Sequence, residues 1–350
     1  MIASALYTSM RIGFHLTPFW SPTDRSATQI LDEAIAVIAA SADLGFDWVS
    51  MGQHWVSHPT IWPQPFPFLA RIAPVTGAMQ LKTSVLLLPI LNAVEVAENV
   101  ATLDHLCHGR LVVGVAVGYR EQELAIAGLT RRDRAPKLTE SIQLMKRLWS
   151  GDEVSLAGRY TRVERARLGF TPLQKPHPPI EFGAQSEAAV VRAARLGDGV
   201  FVGPQVAWTD VGALADVYRR ERSALGKNGG MLGASRSLML GSSREDAATR
   251  ARQYLDKTFN MYSTWGMQED TMVPLQLDTS IGLDEWTIHG SSADCVETIL
   301  RAQDKYGLNG IGFTIYSLPR SPAERIEYLQ RIAEEVVAPV KLRAPARTAG

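Results

Sequence analysis

Cysteine is nearly missing from this sequence: Cys107 and Cys295 are the two in 350 residues, and they stand far apart. That excludes a disulfide framework and makes a reducing cytoplasm the expected home. Long apolar runs are absent too, so no segment reads as a membrane span. The first ten residues lack the basic region and continuous apolar stretch of a secretory signal, so none is expected. No sign of charge is in excess, with 36 basic against 36 acidic residues. A chain so balanced offers no basic surplus to nucleic acid and no polybasic run to a membrane surface. Two nucleotide fingerprints are also missing. The first apolar strand runs into His15-Leu16-Thr17-Pro18-Phe19-Trp20, with no glycine where G-x-G-x-x-G would open a dinucleotide site. No G-x-x-x-x-G-K-[ST] occurs, which excludes a P-loop.

What is present is 46% hydrophobic residues, enough for a large core. Short apolar strands alternate with amphipathic stretches. Strands are expected at Arg11–Leu16, Trp48–Met51, Leu81–Leu88, Leu111–Val115, Ile180–Gly183, Val200–Val202, Ser237–Leu240 and Ile311–Ile315. Helical spacing appears over Thr28–Gly45, Val94–Cys107, Leu138–Trp149, Ser186–Leu196 and Val211–Leu225. Two further helices are expected to start near Arg244 and Ser292. Repeated βα units with apolar strands need a parallel sheet covered on both faces. Eight of them predict an α/β fold, a (β/α)₈ TIM barrel with insertions after strands four and seven. Residues 11–337 read as one domain, 1–10 as a disordered lead-in and 338–350 as a tail. The first insertion, about 152–178, begins as a hairpin turning near Ala157-Gly158. It ends in four prolines within the eight residues Pro172–Pro179, a rigid lead into strand five. The second, 260–289, has weak periodicity and reads equally as a lid or as a helical excursion on the barrel's side.

Active sites of such barrels lie where strands end. Strand one ends in His15, Phe19 and Trp20. Strand two ends in Gly52-Gln53-His54-Trp55, with Trp62, Phe66 and Phe68 beyond. Four of the eight tryptophans fall within the first 62 residues, and aromatics with a few polar groups suit a flat or greasy ligand. His15, Phe19, Trp20, Trp55 and Trp62 are therefore the expected substrate-binding residues. Strand four ends in Gly114-Val115-Ala116-Val117-Gly118-Tyr119, where glycine lets backbone approach a ligand. Strand five ends in Gly183-Ala184-Gln185-Ser186 at a helix start, whose free N–H groups and serine hydroxyl suit a phosphate. Ser186 equally suits a simple helix cap. Metal sites fare worse. His105, Cys107 and His108 sit at a helix end, where positive charge suits the dipole, and Pro59 argues against a helical His54/His58 pair. Arg131, Arg132 and Arg134 read as a solvated face.

The order of these segments resembles the luciferase-like flavin-dependent monooxygenases. Gly109-Arg110-Leu111-Val112-Val113-Gly114-Val115-Ala116-Val117-Gly118-Tyr119, followed by Glu121 and Glu123, resembles that family's fourth-strand motif, and Asp104 precedes it as the family's helix end does. Pro172-Leu173-Gln174-Lys175-Pro176-His177-Pro178-Pro179-Ile180, Gly183 and Ser186 resemble the run into strand five. Asp198-Gly199, His289-Gly290-Ser291 and Gly310-Ile311 follow in order, so the likeness covers about Arg11 to Val337. Cys107 stands in place of the usual serine, Ala116 in place of a reactive cysteine and Gln53 in place of a glutamate.

The resemblance implies reduced FMN supplied by a separate reductase, O2 as co-substrate and a small apolar organic substrate. Ser84, Val85, Val117, Gly118, Tyr119, Gly183, Ala184, Gln185 and Ser186 become the implied cofactor contacts, and the Ser84–Val85 peptide is implied to be cis. His54 falls where luciferases carry their catalytic histidine, and it is also the side chain suited to proton transfer near neutral pH. A homodimer is expected, with no metal. Two alternatives share the fold: an F420-dependent hydride-transfer oxidoreductase, for whose acidic tail Lys175, His177, Arg192 and Arg195 are candidates, and a non-catalytic flavin-binding subunit.

Overall fold

The computed structural model describes residues 9–16, 26–58, 60–265, 282–315 and 321–344, with backbone alone for 257–263. Within these the chain runs β1 (Arg11–Leu16), α1 (Ala27–Ala40), β2 (Trp48–Met51), α2 (Pro65–Ile72), β3 (Gln80–Thr83), β4 (Leu86–Leu87), α3 (Ala93–Leu106), β5 (Leu111–Ala116), α4 (Glu121–Ile126) and α5 (Arg134–Trp149). An antiparallel hairpin follows, β6 (Val154–Ala157) and β7 (Arg162–Ala166). Then come β8 (Ile180–Ala184), α6 (Glu187–Leu196), β9 (Gly199–Val202), α7 (Trp208–Ala224), β10 (Met231–Leu240), α8 (Arg244–Thr264), β11 (Thr287–Gly290), α9 (Ser292–Tyr306), β12 (Gly310–Thr314) and α10 (Pro322–Ile332).

Eight parallel strands close on themselves in the order β1, β2, β3/β4, β5, β8, β9, β10, β12. The ring shuts where β12 lies beside both β10 and β1, with Gly310 opposite Arg11 and Thr314 opposite His15. The helices form where local signals agree. Ser26 caps α1 by accepting from the Gln29 N–H, and the Gln29 side chain accepts from the Ser26 N–H in return. Ser291 and Asp294 do the same for α9, which stops at left-handed Gly307 (φ 68°). The α1 face that meets the barrel carries Ile30, Ala34, Val37 and Ile38.

The structure corrects several boundaries. The third strand is broken at Ser84–Val85, whose peptide is cis, so β3 and β4 replace one continuous run. Strand seven starts at Met231, six residues before the expected Ser237. Its first half pairs with β9 and its second half with β11. β11 is a ninth parallel strand that the periodicity did not suggest, because four residues are too few to show alternation. Two short helices, α2 and α4, replace expected loop. Phe68, read as a site aromatic, is buried in the core on α2. Of the expected lid, 260–264 belong to α8, 287–289 to β11, and 266–281 lie outside the described residues. The expected lead-in also falls largely outside them. Residues 338–343 of the expected tail are helical and bury Val340.

Inward positions alternate along each strand, and the alternation builds a plug and a cavity. The lower layer holds Trp48, Lys82, Glu181, Phe201 and Met231. Lys82 Nζ lies 2.7 Å from Glu181 and 4.1 Å from the Trp48 ring centre. Burial lowers the Lys82 pKa, against the opposing pull of Glu181. Facing strands make room with glycine: a Cβ on Gly13 would meet Trp48 at 2.4 Å, and one on Gly233 would meet Phe201 at 2.4 Å. One or two inward steps towards the strand ends, the residues turn small: Gly52, Ala116, Gly183, Gly203, Ser235 and Thr314 line the space above. The barrel is therefore packed below and open above.

Candidate active site

The open layer is a cavity of about 360 Å³ at the C-terminal ends of the strands. His54 lines it from the loop after β2. Its Nδ1 lies 2.9 Å from Glu123 Oε1, which also accepts from the Trp55 N–H at 2.8 Å. Arg120 Nη1 stands 3.4 Å from the same oxygen. Both His54 and Glu123 are buried. A carboxylate there fixes the imidazole with its proton on Nδ1 and leaves Nε2 to work. Tyr119 Oη is 3.4 Å from that Nε2. Trp62, Tyr119 and Trp265 meet the His54 ring edge-on, with centres 4.5, 5.6 and 5.0 Å away.

The loop that holds His54 is braced by glutamine. Gln53 Oε1 accepts from the Leu87 N–H at 2.9 Å, and the Gln53 N–H reaches Val85 O at 3.1 Å. Gln64 Nε2 donates to His54 O at 3.0 Å, and Trp62 Nε1 donates to Gly52 O at 2.9 Å. Gln53 thus ties the histidine loop to the broken third strand.

Across the cavity, Ser186 takes the N-cap position of α6, yet its side chain makes no cap hydrogen bond. Arg131, Arg134 and Arg192 line the same rim, so the expected solvated face is corrected for Arg131 and Arg134. Chain reversal after Ile126 turns them inward, which residue spacing alone does not show. Arg134 Nη1 donates to Gly118 O at 2.7 Å, and Gly118 adopts φ +77°. Arg192 has no hydrogen-bond partner among the described residues. Burial first, and then the Arg134 charge, lower its pKa.

His15, Trp62, Ser84, Val85, Val117, Gly118, Tyr119, Gly183, Ala184, Gln185 and Ser186 all line this one cavity. Trp55 does not: its ring packs on Leu87, Ile90 and Leu124, because the residue after His54 faces outward. Phe19 and Trp20 lie outside the described residues. Sequence reasoning missed Glu123 as the partner of His54. It was visible only as part of a motif, 69 residues away. Of the basic groove considered for F420, Arg192 alone is at the cavity. Lys175 is turned to Thr171 and Pro172 O, and Arg195 to Glu221. Among the described residues no group of three His, Cys, Asp or Glu side chains is placed to hold a metal. No helix among them is long and apolar enough to cross a membrane.

A closed (β/α)₈ barrel with a buried histidine–carboxylate pair at the strand ends defines an enzyme of the barrel class. Comparison with known proteins narrows the class: a luciferase-like monooxygenase profile matches residues 10–306, and the chain belongs to that oxidoreductase family. It is 33% identical over 181 residues to an F420-dependent glucose-6-phosphate dehydrogenase of Nakamurella multipartita, covering 50% of this chain and 53% of that one. It is 29% identical over 178 residues to the oxygenase component of a flavin-dependent trigonelline monooxygenase of Acinetobacter baylyi, covering 50% and 49%. The chain thus spans about half the length of each of these relatives. Among solved structures, monooxygenase RslO1 of Streptomyces bottropensis superposes with TM-score 0.83 at 22% identity, over 94% of this chain and 99% of that one. The oxygenating constituent of 3,6-diketocamphane monooxygenase of Pseudomonas putida, solved with FMN, superposes with TM-score 0.79 at 18% identity, with the same coverage.

Proposed function

We propose that this chain is the oxygenase component of a two-component monooxygenase, taking reduced FMN from a separate reductase and using O2 to oxygenate a small organic substrate. The observation that carries the reading is the arrangement across one cavity. An anion cradle of Ser186, Arg134 and Arg192 faces the His54–Glu123 pair. Two neighbouring guanidiniums, of which Arg192 has its charge disfavoured by burial and then by Arg134, stand beside an uncommitted hydroxyl at a helix start, and together they fit a phosphate dianion. A bound flavin would supply the redox chemistry with O2. The protein's part is to bind, orient and exclude water. Arg192 and Ser186 hold the phosphate; Val85, Leu87 and Val117 offer apolar contact to a flat ring. His54 holds or moves a proton at Nε2, with Trp62, Tyr119 and Trp265 keeping water from it.

F420 is the second reading, supported by the Nakamurella relative. The cavity rim favours FMN over it, since the long acidic tail would need a basic track and Lys175 and Arg195 are turned elsewhere. The test is to titrate the purified chain with FMN, reduced FMN and F420, and then to measure oxygen uptake. The reading expects tight binding of reduced FMN and oxygen uptake with it. Preferential F420 binding without oxygen uptake would overturn it.

A further inference from the structure

The cavity has two unlike sides. The β2, β4 and β5 side presents Gly52, Val85, Leu87, Ala116 and Val117 as a small and apolar floor, with Gln53, His54, Ser84 and Tyr119 as the polar groups of its loops. The arc from β9 through β10 and β12 to β1 presents a polar side chain from each strand or the loop after it: Gln205, Ser235, Thr314 and His15. Gln205 Oε1 accepts from Gln185 Nε2 at 3.0 Å, and the orientation of His15 follows from the hydrogen bond it makes. The Ser50 hydroxyl donates to Phe14 O at 3.3 Å, and His15 Nδ1 lies 3.2 Å from Ser50 Oγ. A hydroxyl has one proton to give. His15 must therefore donate from Nδ1, which leaves Nε2 a bare acceptor. Nε2 has no partner among the described residues and is not sealed by protein, so it opens on the cavity. Thr314, opposite His15 in the sheet register, likewise has an Oγ1 with no hydrogen-bond partner among the described residues. Burial holds the His15 pKa down at about 4, so the ring stays neutral near pH 7.

We propose that this arc is a hydrogen-bonding substrate subsite in which His15 Nε2 selects a small cyclic compound offering an O–H or N–H donor over a hydrocarbon of the same shape. It revises the expectation of a purely apolar substrate. It rests on the reading that the cofactor ring lies against Val85, Leu87 and Val117 with its phosphate at Ser186 and Arg192, leaving the β9-to-β1 side for substrate. A lone-pair nitrogen left facing a ligand cavity costs free energy unless a donor meets it. A hydrocarbon cannot supply that donor, and a phenol or ring amine can.

The test uses two isosteric probes, phenol and toluene, binding to the FMN-loaded protein. In His15→Phe, which keeps a ring and removes the lone pair, the phenol-to-toluene affinity ratio should fall about tenfold, the scale of one buried hydrogen bond. His15→Gln, which restores an acceptor, should recover most of the ratio, and it keeps the test open if His15→Phe does not fold. FMN affinity should change by less than about twofold in both, since the phosphate contacts are untouched. An unchanged ratio in His15→Phe overturns the proposal. So does a loss of FMN binding in the variants, which would assign the arc to the cofactor. If the wild-type chain instead binds F420 and not FMN, the cofactor reading fails by itself, and the same ratio measured with F420 bound still decides the role of His15.

Discussion

Glu123 Oε1 lies 2.9 Å from His54 Nδ1, in the first turn of a short helix 69 residues further along the chain. The pair gives the site its direction: the carboxylate holds one imidazole nitrogen, and the other faces the cavity.

Removing the carboxylate charge while keeping an acceptor tests that direction. Glu123→Gln takes the carboxylate away from His54 Nδ1 and leaves the ring without its charge-assisted partner. kcat should fall roughly tenfold to a hundredfold. A purely structural Glu123 would lower the melting temperature and leave turnover per bound flavin in place. His54→Ala should fold, still bind reduced FMN, and lose roughly a hundredfold or more in turnover per bound flavin. Near-wild-type turnover per bound flavin would show that His54 only braces its loop.

Arg192 provides a clean test of the cradle, because it holds no described protein group that its removal would strand. Arg192→Gln should weaken FMN roughly tenfold and leave riboflavin, which lacks the phosphate, nearly unchanged. Ser186→Asp should weaken FMN more strongly, by placing a carboxylate against the dianion. Parallel fluorescence titrations with the two flavins check both. Equal losses for FMN and riboflavin would move the phosphate elsewhere.

His15 should make the fold acid-sensitive. Its pKa is lowered from 6.5 to about 4 by burial. Above pH 6.5 both folded and unfolded chains hold it neutral, and it contributes nothing. As pH falls below 6.5 the unfolded chain takes up the proton and the folded chain does not, so stability is lost. The loss levels off below about pH 4, with a total on the order of 3 kcal/mol. Urea melts of wild type and His15→Phe between pH 4 and 7 read this directly. The stability difference between them should shift in favour of the variant as pH falls.

Gly114 lies on β5 where the third strand breaks. A Cβ there would meet Thr83 O at 2.0 Å, and Thr83 Oγ1 accepts from the Gly114 N–H at 2.8 Å. Backbone on both sides leaves nothing flexible to give way. Gly114→Ala should cost roughly 2–4 kcal/mol, seen as a lowered midpoint in thermal or urea unfolding. An unchanged midpoint would mean that β3 and β5 can part without penalty.

The sequence by itself determined the barrel and the end of it that carries the cavity. Eight apolar strands alternating with amphipathic helices leave few other closed arrangements, since each strand must be covered on both faces. His54 and Ser186 were legible because strand ends could be read from local signals: apolar runs, glycine and a helix start. Tertiary structure decided what long sequence separation hides. Glu123 belongs to His54 only because the loop after β5 folds over the loop after β2. Arg134 and Arg192, alike in sequence to any charged helix face, converge because α5 and α6 start at the same rim. Trp55 turns outward although its neighbour His54 turns inward, and the strand β11 exists because the upper half of β10 has an edge to offer. Which way each side chain faces at a barrel rim depends on how loops from different strands pack together, and that is settled by closure of the barrel rather than by any stretch of residues.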